Sequence, residues 1–274
     1  MLRPTRSRTT AAAVWFAVAA LLLPGGAGAQ TAPAPPSPVA VEVPAGTVAV
    51  VRRADGSVYS AITEAQHARF FGAAVSMSQQ RPFAKAVPLV PPAFDACVNG
   101  KRWFEGGGRP RTKKARLRRC AAAHHEAQDT AVQQLLSLTW IMAEAERRGI
   151  VFTERRYARE RRTIIDGQFG DAKGYRRWLR ETTLIEADVR LNILSQLGQA
   201  AIIRQIYDSV PKFKDPARQL EAEQVSIEEF RTEFLLRGRA STTCSASYAA
   251  LPACTGQSDA DAPESGAEQP DLRW

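Results

Sequence analysis

Residues 183–210, TLIEADVRLNILSQLGQAAIIRQIYDSV, decide how the rest of the chain is read. Leu184, Ala187, Leu191, Leu194 and Ala201 recur on one side of a helical period. Val189, Ile193, Ala200 and Ile203 recur on another. A helix that is apolar on two sides needs neighbours on both, so the stretch predicts a central helix in a mostly α fold. Thr183-Leu-Ile-Glu186 has the form of a capping box, in which two side chains satisfy free amides at a helix start. A helix from there to Val210 would run about 40 Å at 1.5 Å per residue.

Downstream, Pro211 and Pro216 break the pattern, and a further helix follows. It begins near Ala217 or at Ser226-Ile-Glu-Glu229, another capping-box form, and closes with FRTEFLLRG. Upstream, Asp171 and Thr153 read as N-caps of two basic helices. Before them, AAAHHEAQDTAVQQLLSLTWIMAEAERRG carries Val132, Leu135, Leu136, Trp140, Met142 and Ala145 at helical spacing, with Gly149 as its stop. Nearer the N-terminus, Thr47–Val51 is rich in β formers and Asp55-Gly56 is a favoured turn pair, which predicts a short hairpin. Thr63-Glu-Ala-Gln66 then starts a helix over about 65–77.

The chain has 274 residues and a formal charge of +9, with 37 Lys and Arg against 28 Asp and Glu. Such a balance favours anionic partners without naming one. Arg3, Arg6 and Arg8 precede the apolar run AAAVWFAVAALLL, and Ala27-Gly28-Ala29 follows it. That layout predicts a signal peptide over 1–29, cleaved after Ala29, and an exported product in the cell envelope or medium. A Pro/Ala-rich linker over 30–45, a domain over 46–254 and a disordered acidic tail over 255–274 complete the division. Four cysteines in an exported chain read as disulfides. Three pairings are possible, and Cys97 with Cys120 and Cys244 with Cys254 is the simplest.

Few residue patterns in the chain suggest chemistry. His67, His124 and His125 all fall in helix patterns. His125 and Asp129 would share a helix face, but no third ligand accompanies them, so HHEAQD reads as a solvated face and no metal is expected. No nucleophile elbow, phosphate loop or dinucleotide fingerprint is present; no catalytic residue is named and no cofactor is expected. GKRWFEGGGRPRTKKARLRR (100–119) reads as a solvated basic loop. Its alternative is attraction to anionic wall polymer or a membrane surface, with nucleic acid set aside because of export. RRYARERRTIID (155–166) reads as a charged helix face. An apolar binding groove could use Phe70, Phe71, Trp140, Met142, Phe169, Tyr175 and Trp178. Each is also a natural core residue. The 171–181 helix is favoured because YRRWLR sets an aromatic among cations.

The order of these segments resembles a known family. It runs through a signal peptide, a linker, VAVV…ITEAQ, a helix, a cysteine-bracketed insertion, WIMAEAERRGIVFTE, then YRRWLRETTLIEADVRLNILSQLGQAAI. This is similar to the N-terminal chaperone segment of the SurA- and PrsA-type foldases, exported parvulin-class peptidyl-prolyl isomerases. Gly149, Val151-Phe-Thr-Glu154, Leu179 and Leu184-Ile-Glu-Ala-Asp-Val-Arg190 stand at the family's positions, whereas Thr183 replaces a frequent Gly. FLLRGRASTTCSASYAALPAC (234–254) resembles the C-terminal end of actinobacterial members. The resemblance spans roughly 45–254. It implies a SurA-N-like helical domain with a short N-terminal β-hairpin and a C-terminal helix returning to it. The implied function is ATP-independent binding of unfolded or extended exported polypeptides. In complete foldases a parvulin domain sits between the long helix and the terminal helix; here only Pro211 to Leu220 separates the patterns, too few residues for a packed domain. Two other readings stay open: a peptidyl-prolyl isomerase with an unrecognised site, and a non-enzymatic envelope scaffold.

Overall fold

The computed structural model describes residues 43–81, 85–100 and 110–255. The expected signal peptide with its Ala29 cleavage site, nearly all of the linker, the centre of the basic loop and the acidic tail lie outside the described residues. In chain order the elements are β1 (Thr47–Arg52), β2 (Val58–Thr63), α1 (Glu64–Ser78), α2 (Asp95–Asn99) and α3 (Lys113–Arg147). Then come α4 (Glu154–Ile164), a π-helical turn (Ile165–Phe169), α5 (Ala172–Glu181), α6 (Glu186–Ser209), α7 (Pro216–Ala240), β3 (Thr242–Cys244) and α8 (Pro252–Thr255). Among the described residues the fold is mostly α, with one small antiparallel sheet.

The hairpin forms where the turn chemistry puts it. Gly56 takes φ +83°, a left-handed conformation that glycine adopts freely, and Asp55 Oδ1 accepts from Ser57 N at 2.9 Å. β1 is the central strand of the order β2-β1-β3, and Val48, Ala49, Val50 and Val51 are all buried. β3 was not foreseen. It pairs Thr242, Thr243 and Cys244 with Val51, Val50 and Ala49, so α7 delivers the chain back onto the N-terminal strand.

Helix starts follow their cap residues. Thr63, Thr153 and Asp171 accept from the amides of Gln66, Arg156 and Gly174, and Asp215 caps α7 with Pro216 at its first position. That last cap makes α7 one continuous helix, so Ser226 lies inside it and starts nothing. α6 corrects the central expectation: it begins at Glu186, not Thr183. Asp188 Oδ2 accepts from Ile185 N at 3.0 Å and the same carboxylate holds the Arg69 guanidinium at 2.6 and 2.9 Å. Thr183 Oγ1 instead donates to Arg69 O at 2.5 Å. One carboxylate thus caps α6 and ties it to α1. Residues 210–215 alone join α6 to α7.

Three apolar clusters hold these elements together. The main core joins β1, β2, α1, α3, α6 and α7 through Val51, Ile62, Phe70, Leu136, Ile202 and Phe234. A second surrounds the Cys97–Cys120 disulfide, and a third packs α4 and α5 on α6 through Tyr157, Tyr175, Val189 and Ile193. Cys244 and Cys254 form the other disulfide, so the local pairing holds. Such bonds persist in oxidising surroundings outside the cytoplasm. α6 is clasped on two sides: Val189 and Ile193 are buried, and Leu184, Leu191 and Leu194 pack against the clusters, as expected. Ala187 and Ala200 are exposed, while Asn192, Ser195 and Gly198 are buried. A Cβ at Gly198 would stand 3.3 Å from Ile141 and 3.4 Å from Phe152, so the small residue sets the approach of α3. Among the described residues no helix is long and apolar enough to cross a membrane.

Candidate functional site

A cleft of about 640 Å³ lies where the β1–β2 turn, the C-terminal part of α3 and the end of α7 meet. Trp140, Ala143, Phe234 and Tyr59 give it apolar walls, and Arg52, Arg53, Arg147 and Arg237 stand around it. Asp55, Glu144 and Glu146 also line it, so four cations face three carboxylates. The rim is therefore nearly balanced, unlike a dedicated anion site.

Each wall is held in place. Trp140 Nε1 donates to Thr242 Oγ1 at 2.9 Å, and that hydroxyl donates to Gly238 O at 2.7 Å. The indole lies directly on Gly238, where a Cβ would come within 2.5 Å of the ring. Phe234 meets Trp140 edge-on at 6.4 Å. Arg53 lies over the Tyr59 ring at 5.1 Å, donates to Val58 O at 3.0 Å and pairs with Glu146 at 2.9 Å. These contacts fix the turn to α3.

Glu144 organises the opposite side. It is 4% exposed, yet it accepts from Arg147 at 2.6 and 2.8 Å and from Arg148 at 2.6 Å, with Arg237 at 3.8 Å. Burial alone would raise its pKa; the hydrogen bonds from Arg147 and Arg148 outweigh that and hold it below the ordinary carboxylate range. Arg148 in turn covers the Phe230 ring at 4.9 Å. Phe230 and Phe234 also line a smaller apolar slot of about 80 Å³ with Ile141, Ile202, Ile203 and Ile227.

The residues expected to form a binding groove are scattered. Phe70 and Tyr175, each 2% exposed, are core residues. Phe70 joins the main cluster, and Tyr175 is pinned by its hydroxyl donating to Glu186 at 2.7 Å. Trp140 is 7% exposed, so little of it is accessible from the cleft that it lines. Phe71, Met142, Phe169 and Trp178 are half-buried and away from the cleft. The 171–181 helix does not mix its aromatic with its cations. Trp178 stacks on Tyr175 at 6.0 Å and meets Phe169 at 5.1 Å, while Arg176, Arg177 and Arg180 are exposed. Tyr59, Phe234, Arg237 and Glu144 are the residues that sequence reasoning missed. The one usable signal was Glu144 three and four positions before Arg147 and Arg148.

HHEAQD is only in part the solvated face expected of it. His67 is buried between α1 and α3 beneath Tyr248, whose hydroxyl lies 3.4 Å from its Nδ1. His124 is half-buried with Nδ1 2.9 Å from Leu89 O; only His125 is exposed. Asp129 accepts from Ala253 N at 2.9 Å rather than facing solvent with His125. Among the described residues no group of three or more His, Cys, Asp or Glu could hold a metal ion. No protein-family model, curated protein or solved structure matches this chain.

Proposed function

We propose that this chain is an exported, ATP-independent chaperone-like protein that holds unfolded or extended polypeptides in the cleft beneath the β1–β2 turn. The observation that carries the reading is the make-up of that cleft: rigid aromatic walls under a rim of guanidiniums already nearly neutralised by neighbouring carboxylates. An extended segment laid in it would bury apolar side chains on Tyr59, Phe234 and Trp140, worth about 25 cal/mol per Å² covered. The guanidiniums would donate to its carbonyls and carboxylates in no fixed register. Weak, distributed contacts of this kind suit many clients rather than one. Nothing in the step requires a nucleotide or a bond to be broken.

The order of elements supports the likeness to the SurA- and PrsA-type chaperone segment: a hairpin, a helix, a disulfide-closed insertion, two long helices and a terminal helix returning to the first strand. The 210–215 connection leaves no room for a parvulin domain at that place. Export rests on the basic, apolar and Ala-Gly-Ala sequence of residues 1–29, with the two disulfides in agreement.

The test uses the oxidised protein, an aggregating reduced client followed by light scattering, and a prolyl-isomerase assay on the same sample. Suppressed aggregation without isomerisation is expected. The double variant Tyr59→Ala/Arg237→Ala, folded by circular dichroism, should lose at least half of the suppression. A folded wild-type protein that leaves aggregation unchanged would sink the proposal and favour a dedicated envelope partner. Isomerisation would reveal a catalytic site that the reading lacks.

A further inference from the structure

Helices α4 and α5 each turn one tyrosine inward and a row of cations outward. Tyr157 and Tyr175 are buried in the cluster against α6. At 100° per residue, Arg155, Arg159 and Arg162 lie roughly 140–200° around α4 from Tyr157. Lys173, Arg177 and Arg180 hold the same three positions relative to Tyr175. The segments RRYARERR (155–162) and KGYRRWLR (173–180) thus share one pattern: cation, any residue, Tyr, any residue, Arg, two residues, Arg. All six outward cations are exposed, and each row is about 10 Å long at 1.5 Å per residue.

The inward cations are already employed. Arg161 pairs with Glu186 at 2.6 Å and covers Tyr175 at 5.0 Å; Arg190 pairs with Glu154 and covers Tyr157 at 4.3 Å. These pairs occupy Glu186 and Glu154. Asp171 is committed to the Gly174 amide, with Lys173 and Arg177 close enough to favour its charge. Arg155, Arg159, Arg162 and Arg180 have no acidic partner among the described residues. Exposed Asp166 follows the α4 row, and exposed Glu181 follows Arg180.

We infer that the outward faces of α4 and α5 form a docking site for a linear, phosphate-bearing polyanion, a binding activity separate from the client cleft. Arginine presents a planar fork that matches phosphate oxygens in pairs. Rows one cation wide suit a chain of regularly spaced phosphates better than a flat surface. The apolar sides of both helices are spent in the core, so no wedge is left for insertion into a bilayer. Tyr157 and Tyr175 face inward, so they offer no stacking platform for bases.

The experiment measures binding of fluorescently labelled linear inorganic polyphosphate to the full chain by anisotropy, at 50 and 200 mM salt. Three phosphates neutralised by one row predict about a 20-fold loss of affinity over that salt range, and more if both rows engage. The variants Arg155→Gln/Arg159→Gln/Arg162→Gln and Lys173→Gln/Arg177→Gln/Arg180→Gln should each weaken binding about tenfold or more, and their combination further. The variant Lys212→Gln/Lys214→Gln/Arg239→Gln removes as much charge from exposed positions elsewhere and should stay within about threefold of wild type. Aggregation suppression should be unchanged in the row variants, which separates this site from the client reading. Equal weakening by the control variant, or wild-type binding by both row variants in folded samples, would overturn the inference. So would row-dependent binding to phosphatidylglycerol vesicles with none to polyphosphate, which would make the face a membrane contact.

Discussion

Gly238→Ala sets two terms of similar size against each other. Gly238 lies inside α7, where alanine gains about 1 kcal/mol of helix propensity over glycine. Against this, the new Cβ would stand 2.5, 2.8 and 2.9 Å from three atoms of the Trp140 indole, distances at which something must move. The indole cannot step aside freely. It is 7% exposed, meets Phe234 edge-on, and would lose its hydrogen bond to Thr242 on tilting. That bond contributes about 1 kcal/mol, and overpacking costs a further ~1–3 kcal/mol. The net expectation is a loss of about 1–3 kcal/mol. Urea unfolding followed by tryptophan fluorescence should show the midpoint falling by roughly 0.5–1.5 M for a slope near 2 kcal/mol per M. Gly167→Ala is the companion measurement, because no atom lies within 4 Å of its Cβ position and no loss is expected there. A midpoint for Gly238→Ala at or above wild type would mean that helix propensity prevails and that Trp140 does not pack on α7 as described.

Two further expectations concern the α1–α3 side. Burial lowers the pKa of His67 and of His124, so below about 6.5, the unfolded imidazole value, the unfolded chain binds more protons than the folded one. Stability is therefore full above that pH and falls as the pH drops through it; His67→Phe, which cannot take up the proton beneath Tyr248, should flatten the slope of unfolding free energy between pH 7 and 5. An unchanged slope would refute the assignment. Cys97 and Cys120 close a separation of 23 residues, and Cys97→Ser/Cys120→Ser should lose about 3 kcal/mol on the loop-entropy model, read by the same urea titration.

Local chemistry was legible where it is self-contained. The Asp55-Gly56 turn and the Thr63, Thr153 and Asp171 caps are settled by neighbours within a few residues, and the cysteines pair with the nearest in sequence. What failed was decided by distant partners. In α6, Asp188, Asn192, Ser195 and Gly198 are buried beside the expected Val189 and Ile193, where a charge shared with Arg69 and a close approach to α3 set the packing. β3 is three residues with no alternation of its own, and it becomes a strand only because β1 presents a free edge. The cleft was hidden for a similar reason. α7 exposes Leu220, Val225 and Leu236, while Phe234 and Gly238 make the contact.

The strand order has a consequence for how such a chain acquires its structure when it emerges N-terminus first. β1 is made early, but its second edge stays bare until Thr242–Cys244 arrive, partners roughly 190 positions away along the chain. Four consecutive buried residues of β1 therefore spend most of synthesis or translocation as an open, sticky edge. Closing so long a loop is slow, and β3 can seat only after α7 has turned the chain back. The Cys244–Cys254 bond then locks the arriving segment behind the strand. Completion of the sheet is thus a late event, so a chain interrupted before residue 242 would display the kind of surface that holding proteins exist to cover.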